Sequence, residues 1–240
     1  MPTSAPATAR PAAADDGARR AQREAAAAAS GGTSDFVYPS LERVIAERQI
    51  SGDVLDFGAG IGSYARALHA MGRFRSVTGV DIMPAPADLP AGITWTTQDL
   101  NDPTAFPAES FDVIVSAEVV EHLENPRAVA REWYRLLRPG GHLLISTPNN
   151  ESWRALIALV VRGHFVLFGD ESYPAHITAL LRKDIARVLR EAGFAEPEFL
   201  FTNLGGLPGH PTVHWQLISP ALFTGLRFSD NVLALARKTS

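Results

Sequence analysis

Two stretches of this sequence carry the residue types from which a reaction can be built. In the first, Val54-Leu55-Asp56-Phe57-Gly58-Ala59-Gly60-Ile61-Gly62, an apolar run meets a carboxylate and three alternating glycines, and a helix-compatible segment, Tyr64 to Met71, follows. A strand that hands over to a helix in this way can cradle a nucleotide, because glycine lets the backbone approach the ligand. Asp81, about twenty residues beyond Gly60, stands where an acidic side chain accepts two hydrogen bonds from ribose hydroxyls. In the second stretch, Glu118-Val119-Val120-Glu121-His122, three polar side chains fall at i, i+3 and i+4, on one face if the stretch is helical. The chain has no cysteine, so any metal must be held by His, Asp or Glu.

These residues need a scaffold, and the chain alternates in a way that supplies one. Strands are expected at Asp53–Phe57, Ser76–Val80, Ile93–Thr97, Phe111–Ser116 and His142–Ser146. Helical patterns lie between them, notably Tyr64–Met71 and Arg127–Leu137, the latter stopped by Pro139-Gly140-Gly141. A lead-in helix is expected over Pro39–Gln49 with Ser40 at its cap. Near-continuous apolar strands alternating with helices mean a mostly parallel sheet covered on both faces, an α/β fold of the Rossmann-like kind. Such sheets place their sites at the carboxyl ends of the strands, which is where Glu118 to His122 falls. After residue 148 the rhythm breaks, and residues 149–180 read as a lid or substrate insert. A helix over Arg182–Ala192 and strands at Glu198–Phe201 and Asn231–Ala236 follow, the strands flanking a connection rich in Gly and Pro, Gly205 to Pro220.

The glycine pattern is Gly-x-Gly-x-Gly, since Ser63 stands where a dinucleotide fingerprint wants its third glycine. With Asp56 ahead of it, this resembles the first motif of the class I S-adenosylmethionine (SAM) dependent methyltransferases. Phe111-Asp112-Val113-Ile114-Val115-Ser116 and Leu136-Leu137-Arg138-Pro139-Gly140-Gly141 resemble two later motifs of the same superfamily, over roughly Leu41 to Ala195. The resemblance implies a seven-stranded sheet and a SAM site built from Asp56, Gly58, Ala59, Gly60, Asp81, Ile82, Asp99, Leu100 and Glu118. Asp99 would meet the adenine amino group between the apolar walls of Ile82 and Leu100.

Glu118-x-x-Glu121-His122 is similar to an element of ubiquinone-pathway O-methyltransferases and of small-RNA 3′-terminal 2′-O-methyltransferases, where a further downstream histidine helps hold a divalent ion. The matching position here is His176. Two readings of Glu118, Glu121, His122 and His176 therefore stand side by side: ligands of Mn, Fe, Co or Zn, with Mg less well suited, or a pocket in which Glu121, His122 and His176 do acid–base or lining work without metal. The expected activity is methyl transfer to a small-molecule hydroxyl, with an RNA terminus, nitrogen or carbon as other acceptors and a non-catalytic SAM-binding partner protein as the rival from another class.

Composition narrows this further. The chain has 240 residues, 46% of them hydrophobic, and a net charge of -4, which suits one soluble domain and shows no basic footprint for nucleic acid. No apolar run is long enough to span a membrane and no signal-peptide core is present, so a cytoplasmic location is expected. Residues 1–34, rich in Ala and Pro, are expected to be a disordered tail ahead of the domain at 35–240. The segment Trp153 to Phe168 reads either as a lid helix or as a weak membrane-surface patch. His210 and His214 are expected in a loop, because Pro211 lies between them.

Overall fold

A computed structural model describes residues 36–239 together with Gly17, Ala21 and Glu24. Apart from those three residues, the tail expected over 1–34 lies outside the described part. Seven strands form one sheet: β1 (Gly52–Phe57), β2 (Phe74–Asp81), β3 (Ile93–Thr97), β4 (Phe111–Ala117), β5 (Leu137–Pro148), β6 (Glu198–Phe201) and β9 (Asn231–Arg237), in the order β3-β2-β1-β4-β5-β9-β6. Pairing is parallel from β3 to β5, and β9 runs antiparallel to both β5 and β6. The strand order reverses between β1 and β4, the place where an open α/β sheet leaves a crevice for ligands.

Consecutive residues of the central strands point to opposite faces, and both faces are filled. On one side Leu55, Phe57, Ile114 and Ile145 pack with Trp133 of α3 (Pro126–Leu136) and with Ile185 and Leu189 of α5 (Arg182–Ala192). On the other, Val54, Val113 and Val115 pack with Leu41 and Ile45 of α1 (Val37–Glu47) and with Tyr64 and Leu68 of α2 (Ser63–Ala70). The continuous apolar runs in β1 and β4 follow from this double burial.

Local chemistry moves some boundaries from those expected. Ser40 does not cap α1: Phe36 holds the N-cap position without a side-chain cap, and the Ser40 hydroxyl donates to the Phe36 carbonyl at 3.1 Å from inside the helix. Helix α3 begins with Pro126, and the Asn125 side chain accepts from the Ala128 N–H at 3.1 Å. It ends before Pro139-Gly140-Gly141, because Leu137 already has extended backbone, and those three residues lie within β5. Gly140 takes φ +78, a conformation that few residues besides glycine adopt.

Two excursions rise from the carboxyl edge of the sheet. The first, after β5, holds α4 (Trp153–Arg162), capped by Ser152 and closed by Gly163 in the left-handed conformation, a regular helix within the stretch Trp153 to Phe168. The second, between β6 and β9, forms a hairpin of β7 (Gly206–Leu207) and β8 (His210–His214), followed by α6 (Trp215–Ile218). His210 and His214 therefore lie on a strand and not in a loop. Pro211 is tolerated on that exposed two-stranded sheet, where its missing N–H costs little.

Candidate active site

The loop after β1 is held to β2 by its own backbone. The Gly58 and Ala59 N–H groups both donate to the Val80 carbonyl, at 2.9 and 3.1 Å, and Gly62 N–H donates to Ala59 O at 2.7 Å. Gly58 has φ +87, and a Cβ there would fall 2.3 Å from Val119 Cγ2, so only glycine lets the loop lie against the end of β4. Asp81 reaches across from β2: its carboxylate accepts from Gly60 N–H at 2.8 Å and from Met83 N–H at 2.9 Å. Burial pushes its carboxyl above the ordinary range against those backbone donors.

Asp56 lies beneath the loop and is 1% exposed. It receives the Ala65 N–H of α2, yet burial, with the Asp81 charge adding to it, pushes its carboxyl up to about 8. Its Oδ2 has no hydrogen-bond partner, nor has the neighbouring Tyr64 hydroxyl, whose ring stacks on Tyr38 at 4.5 Å. Asp99 is buried after β3 and accepts from both the backbone and the side-chain amide of Asn101 at 3.0 Å. Leu100 is buried beside it, and Ile82 is half-buried.

The second group forms where β4 ends. Glu118 adopts φ +55, and only Val120–His122 are helical, as one 3-10 turn, so Glu118 is not on a shared helix face with Glu121 and His122. Its N–H is taken up by Ser146, at 3.2 Å to the carbonyl and 3.1 Å to Oγ. Its Oε2 accepts from Asn231 Nδ2 at 2.7 Å, while Oε1 is buried without a partner. Burial raises this carboxyl to about 7. Glu121 is fully buried: Thr147 Oγ1 donates to Oε2 at 3.1 Å, Oε1 has no partner, and burial, with the Glu118 charge, pushes its carboxyl well above the usual range.

The first excursion delivers His176 to this corner. Ile177 and Thr178 N–H both donate to the Glu121 carbonyl at 3.0 Å, and the His122 and His176 rings meet edge-on with centroids 4.7 Å apart. His122 Nδ1 lies 2.8 Å from Ala175 O and His176 Nδ1 lies 2.7 Å from Leu167 O. A carbonyl can only accept, so both Nδ1 atoms carry the proton, and the Glu118 carbonyl is a second acceptor facing the His122 ring. Burial, helped at His122 by the facing His176, lowers both imidazoles below their ordinary pKa. Ligand atoms of Glu121, His122 and His176 all lie within 4.8 Å of one another, a group that leaves Glu118 out.

Sequence reasoning thus places Asp56, Gly58, Gly60 and Asp81 together at one loop, and Glu121, His122 and His176 at a second point. It does not find Asn231 or Thr147 as the partners of the two glutamates. Asn231 is legible only as the start of a strand, and no spacing links it to a glutamate more than a hundred residues earlier.

A glycine loop at the switch point of a seven-stranded sheet, with β9 inserted antiparallel beside β5, defines a class I SAM-dependent methyltransferase. The chain belongs to the methyltransferase-domain family, which it matches over residues 20–196. It is 31% identical over 122 residues to the ubiquinone biosynthesis O-methyltransferase of Pseudomonas savastanoi pv. phaseolicola, covering 48% of this chain and 51% of that protein. To the enzyme of the same description from Vibrio vulnificus it is 33% identical over 115 residues, 45% of this chain and 48% of that one. The chain spans about half the length of the curated relatives it matches. In fold it is similar to a SAM-dependent methyltransferase of Mesorhizobium loti, with a TM-score of 0.59 and 21% identity over 85% of this chain and 99% of that one. A Haloferax volcanii putative methyltransferase, solved with a methyltransferase activator, gives 0.65 at 19% identity over 92% and 97%.

Proposed function

We propose that this enzyme transfers the methyl group of SAM to the oxygen of a small-molecule hydroxyl, the acceptor being a catechol, quinol, sugar or natural product. The observation that carries this reading is the convergence of Glu121, His122 and His176, whose ligand atoms lie within 4.8 Å of one another just after Val119, the residue that packs against Gly58 of the loop after β1. The donor would lie along Asp56, Gly58, Ala59 and Gly60, with its ribose on Asp81 and its adenine near Asp99, Leu100 and Ile82.

A neutral hydroxyl is a poor nucleophile, and the corner holds what is needed to improve it. The orphaned Glu121 Oε1 is a buried acceptor with no cation to meet it, and both imidazoles are fixed by backbone carbonyls at Nδ1, the arrangement in which histidine binds metal. Glu121, His122 and His176 thus fit a divalent ion of the Mn, Fe, Co or Zn type. When bound, such an ion lowers the pKa of a coordinated hydroxyl. The Ala175 and Leu167 carbonyls orient the His122 and His176 rings, and the aromatic ring of Phe168 packs 5.4 Å from His176. Purified protein incubated with radiolabelled SAM is expected to label a catechol or quinol acceptor and to leave total RNA unlabelled. Labelled RNA with no labelled small molecule would sink the proposal.

The two excursions also suit collection of an apolar acceptor from a lipid surface. The first exposes Val160 (85%) and Val161 (76%) and the second Leu217 (75%) and Leu222 (76%), apolar side chains of the kind that meet a partner surface. Residues 152–169 and 203–229 contain no Asp or Glu, in a chain of net charge -4, so this surface does not repel anionic headgroups. No helix among the described residues is long and apolar enough to cross a membrane. Vesicles containing phosphatidylglycerol are expected to carry the protein upward in a density gradient, and the V160E/V161E double variant to remain at the bottom. Wild-type protein that stays at the bottom would leave α4 as a lid only.

A further inference from the structure

The three residues of the corner all stand outside the sheet. Glu121 and His122 belong to the single 3-10 turn after β4, and His176 arrives on the excursion after β5. Both imidazoles are oriented by carbonyls of that same excursion, Ala175 O for His122 and Leu167 O for His176. Side chains that must keep a fixed mutual spacing need a tie to a rigid element.

One side chain supplies that tie. Thr147 Oγ1 donates to Glu121 Oε2 at 3.1 Å, and among the described residues no other side chain donates to that carboxylate. Thr147 is the last but one residue of β5, 2% exposed and paired with Val232 of β9, and the preceding Ser146 pairs with Ala117 of β4. Its hydroxyl therefore projects from a strand with neighbours on both sides. Glu121 in turn carries the rest of the corner, because its carbonyl takes the N–H groups of Ile177 and Thr178 and so seats the segment that delivers His176. The connection runs from the sheet through Thr147 to Glu121, and from Glu121 to the two rings.

Stability alone does not account for this pairing. A fully buried carboxylate with one oxygen on a neutral hydroxyl and the other unpartnered is a costly way to fill a core, and an apolar pair of similar shape would serve the fold as well or better. The pairing has a use if the anchored oxygen fixes the plane of the carboxylate and with it the place of the free oxygen.

Resting on the metal reading of this corner, we infer that Thr147 is a positioning residue, whose hydroxyl fastens the Glu121 carboxylate to the sheet so that its unpartnered oxygen stands ready for the ion that His122 and His176 share. It acts through Glu121 alone. A ligand left free to rotate binds a metal less well, which is why outer partners of this kind matter.

The test measures Mn2+ dissociation constants by calorimetry on the full chain, with S-adenosylhomocysteine binding as the check on the donor side. Thr147→Val keeps the branched shape and removes the hydroxyl. It is expected to weaken Mn2+ binding about 10- to 100-fold and to leave the Kd for S-adenosylhomocysteine within about threefold. Thr147→Ala should repeat that loss, so the result does not depend on valine fitting the site, and Thr147→Ser should bind Mn2+ within about threefold of wild type. In Glu121→Gln, where Mn2+ binding is already weakened, adding Thr147→Val should weaken it little further. Valine and alanine variants that bind Mn2+ as wild type does, a serine variant no better than valine, or losses that add in the double variant overturn the assignment. Loss of Mn2+ and S-adenosylhomocysteine binding together also overturns it, by showing a packing role. Wild-type protein that binds S-adenosylhomocysteine and no Mn2+ overturns the metal reading on which the assignment rests, a separate result.

Discussion

Replacing His176 by alanine is expected to lower kcat about 100-fold or more while the Kd for SAM stays within about threefold. The size follows from the role: loss of a group that activates the attacking oxygen costs on that order whether it acts through a metal or as a base. The selectivity follows from geometry. His176 is delivered by the excursion after β5 and touches His122, Phe168 and Leu167, none of them on the donor loop. The two modes then separate by chelation. If Glu121, His122 and His176 hold a divalent ion, wild-type activity falls in strong chelator and returns with Mn2+, and His176→Ala binds that ion more weakly. Full activity in chelator, with no ion found by elemental analysis, would assign His122 and His176 to proton transfer. Glu121→Gln adds a readout that a packing role would not give. The Glu121 Oε1 meets no partner in the ion-free protein, so the amide should cost that form little in unfolding temperature while ion affinity drops.

The scaffold was readable from the sequence because it obeys simple periodicities. Ile93–Thr97, Arg182–Ala192 and Glu198–Phe201 fall where pattern places them, the helix because its buried Ile185, Ala186 and Leu189 recur at helical spacing and the two edge strands because β-branched and aromatic residues fill them. The donor loop was readable for a different reason: the φ values of Gly58, Gly60 and Gly62 admit little but glycine, so conformation is written directly into composition. Two features were hidden. The geometry of Glu118 to His122 looked like a helical face, but a non-glycine residue in the left-handed region leaves no mark in the sequence, and it moves Glu118 out of the group. The hydrogen bond from Asn231 to Glu118 depends on β9 being inserted antiparallel beside β5, a topological fact that no local spacing encodes. The excursions were the least readable, because Gly163 and Pro211 look like loop signals where they serve as a helix cap and an exposed strand residue.

Asp56→Asn is expected to weaken SAM binding by roughly tenfold and, at the same time, to stabilise the ligand-free protein at alkaline pH. The carboxyl is buried near Asp81, with Oδ2 unpartnered, and its folded pKa is pushed up to about 8 from an ordinary 3.8. A raised carboxyl pKa means that the folded chain binds a proton more tightly than the unfolded one. The contribution to stability is therefore complete below about pH 4 and is lost progressively as pH rises to about 8, where the folded group at last ionises in a site that cannot solvate it. The wild-type unfolding temperature should accordingly decline between about pH 4 and pH 8 more than that of Asp56→Asn, which carries no charge to bury. SAM reverses the comparison, since a cationic donor above the loop favours the carboxylate that the empty site disfavours. The gap in unfolding temperature between the two proteins should then close or change sign when SAM is added at alkaline pH, and equal pH profiles with and without SAM would show that Asp56 does not sense the donor. Such an exchange of ligand-free stability for donor affinity is what an unpaired, buried acid at a binding loop would produce.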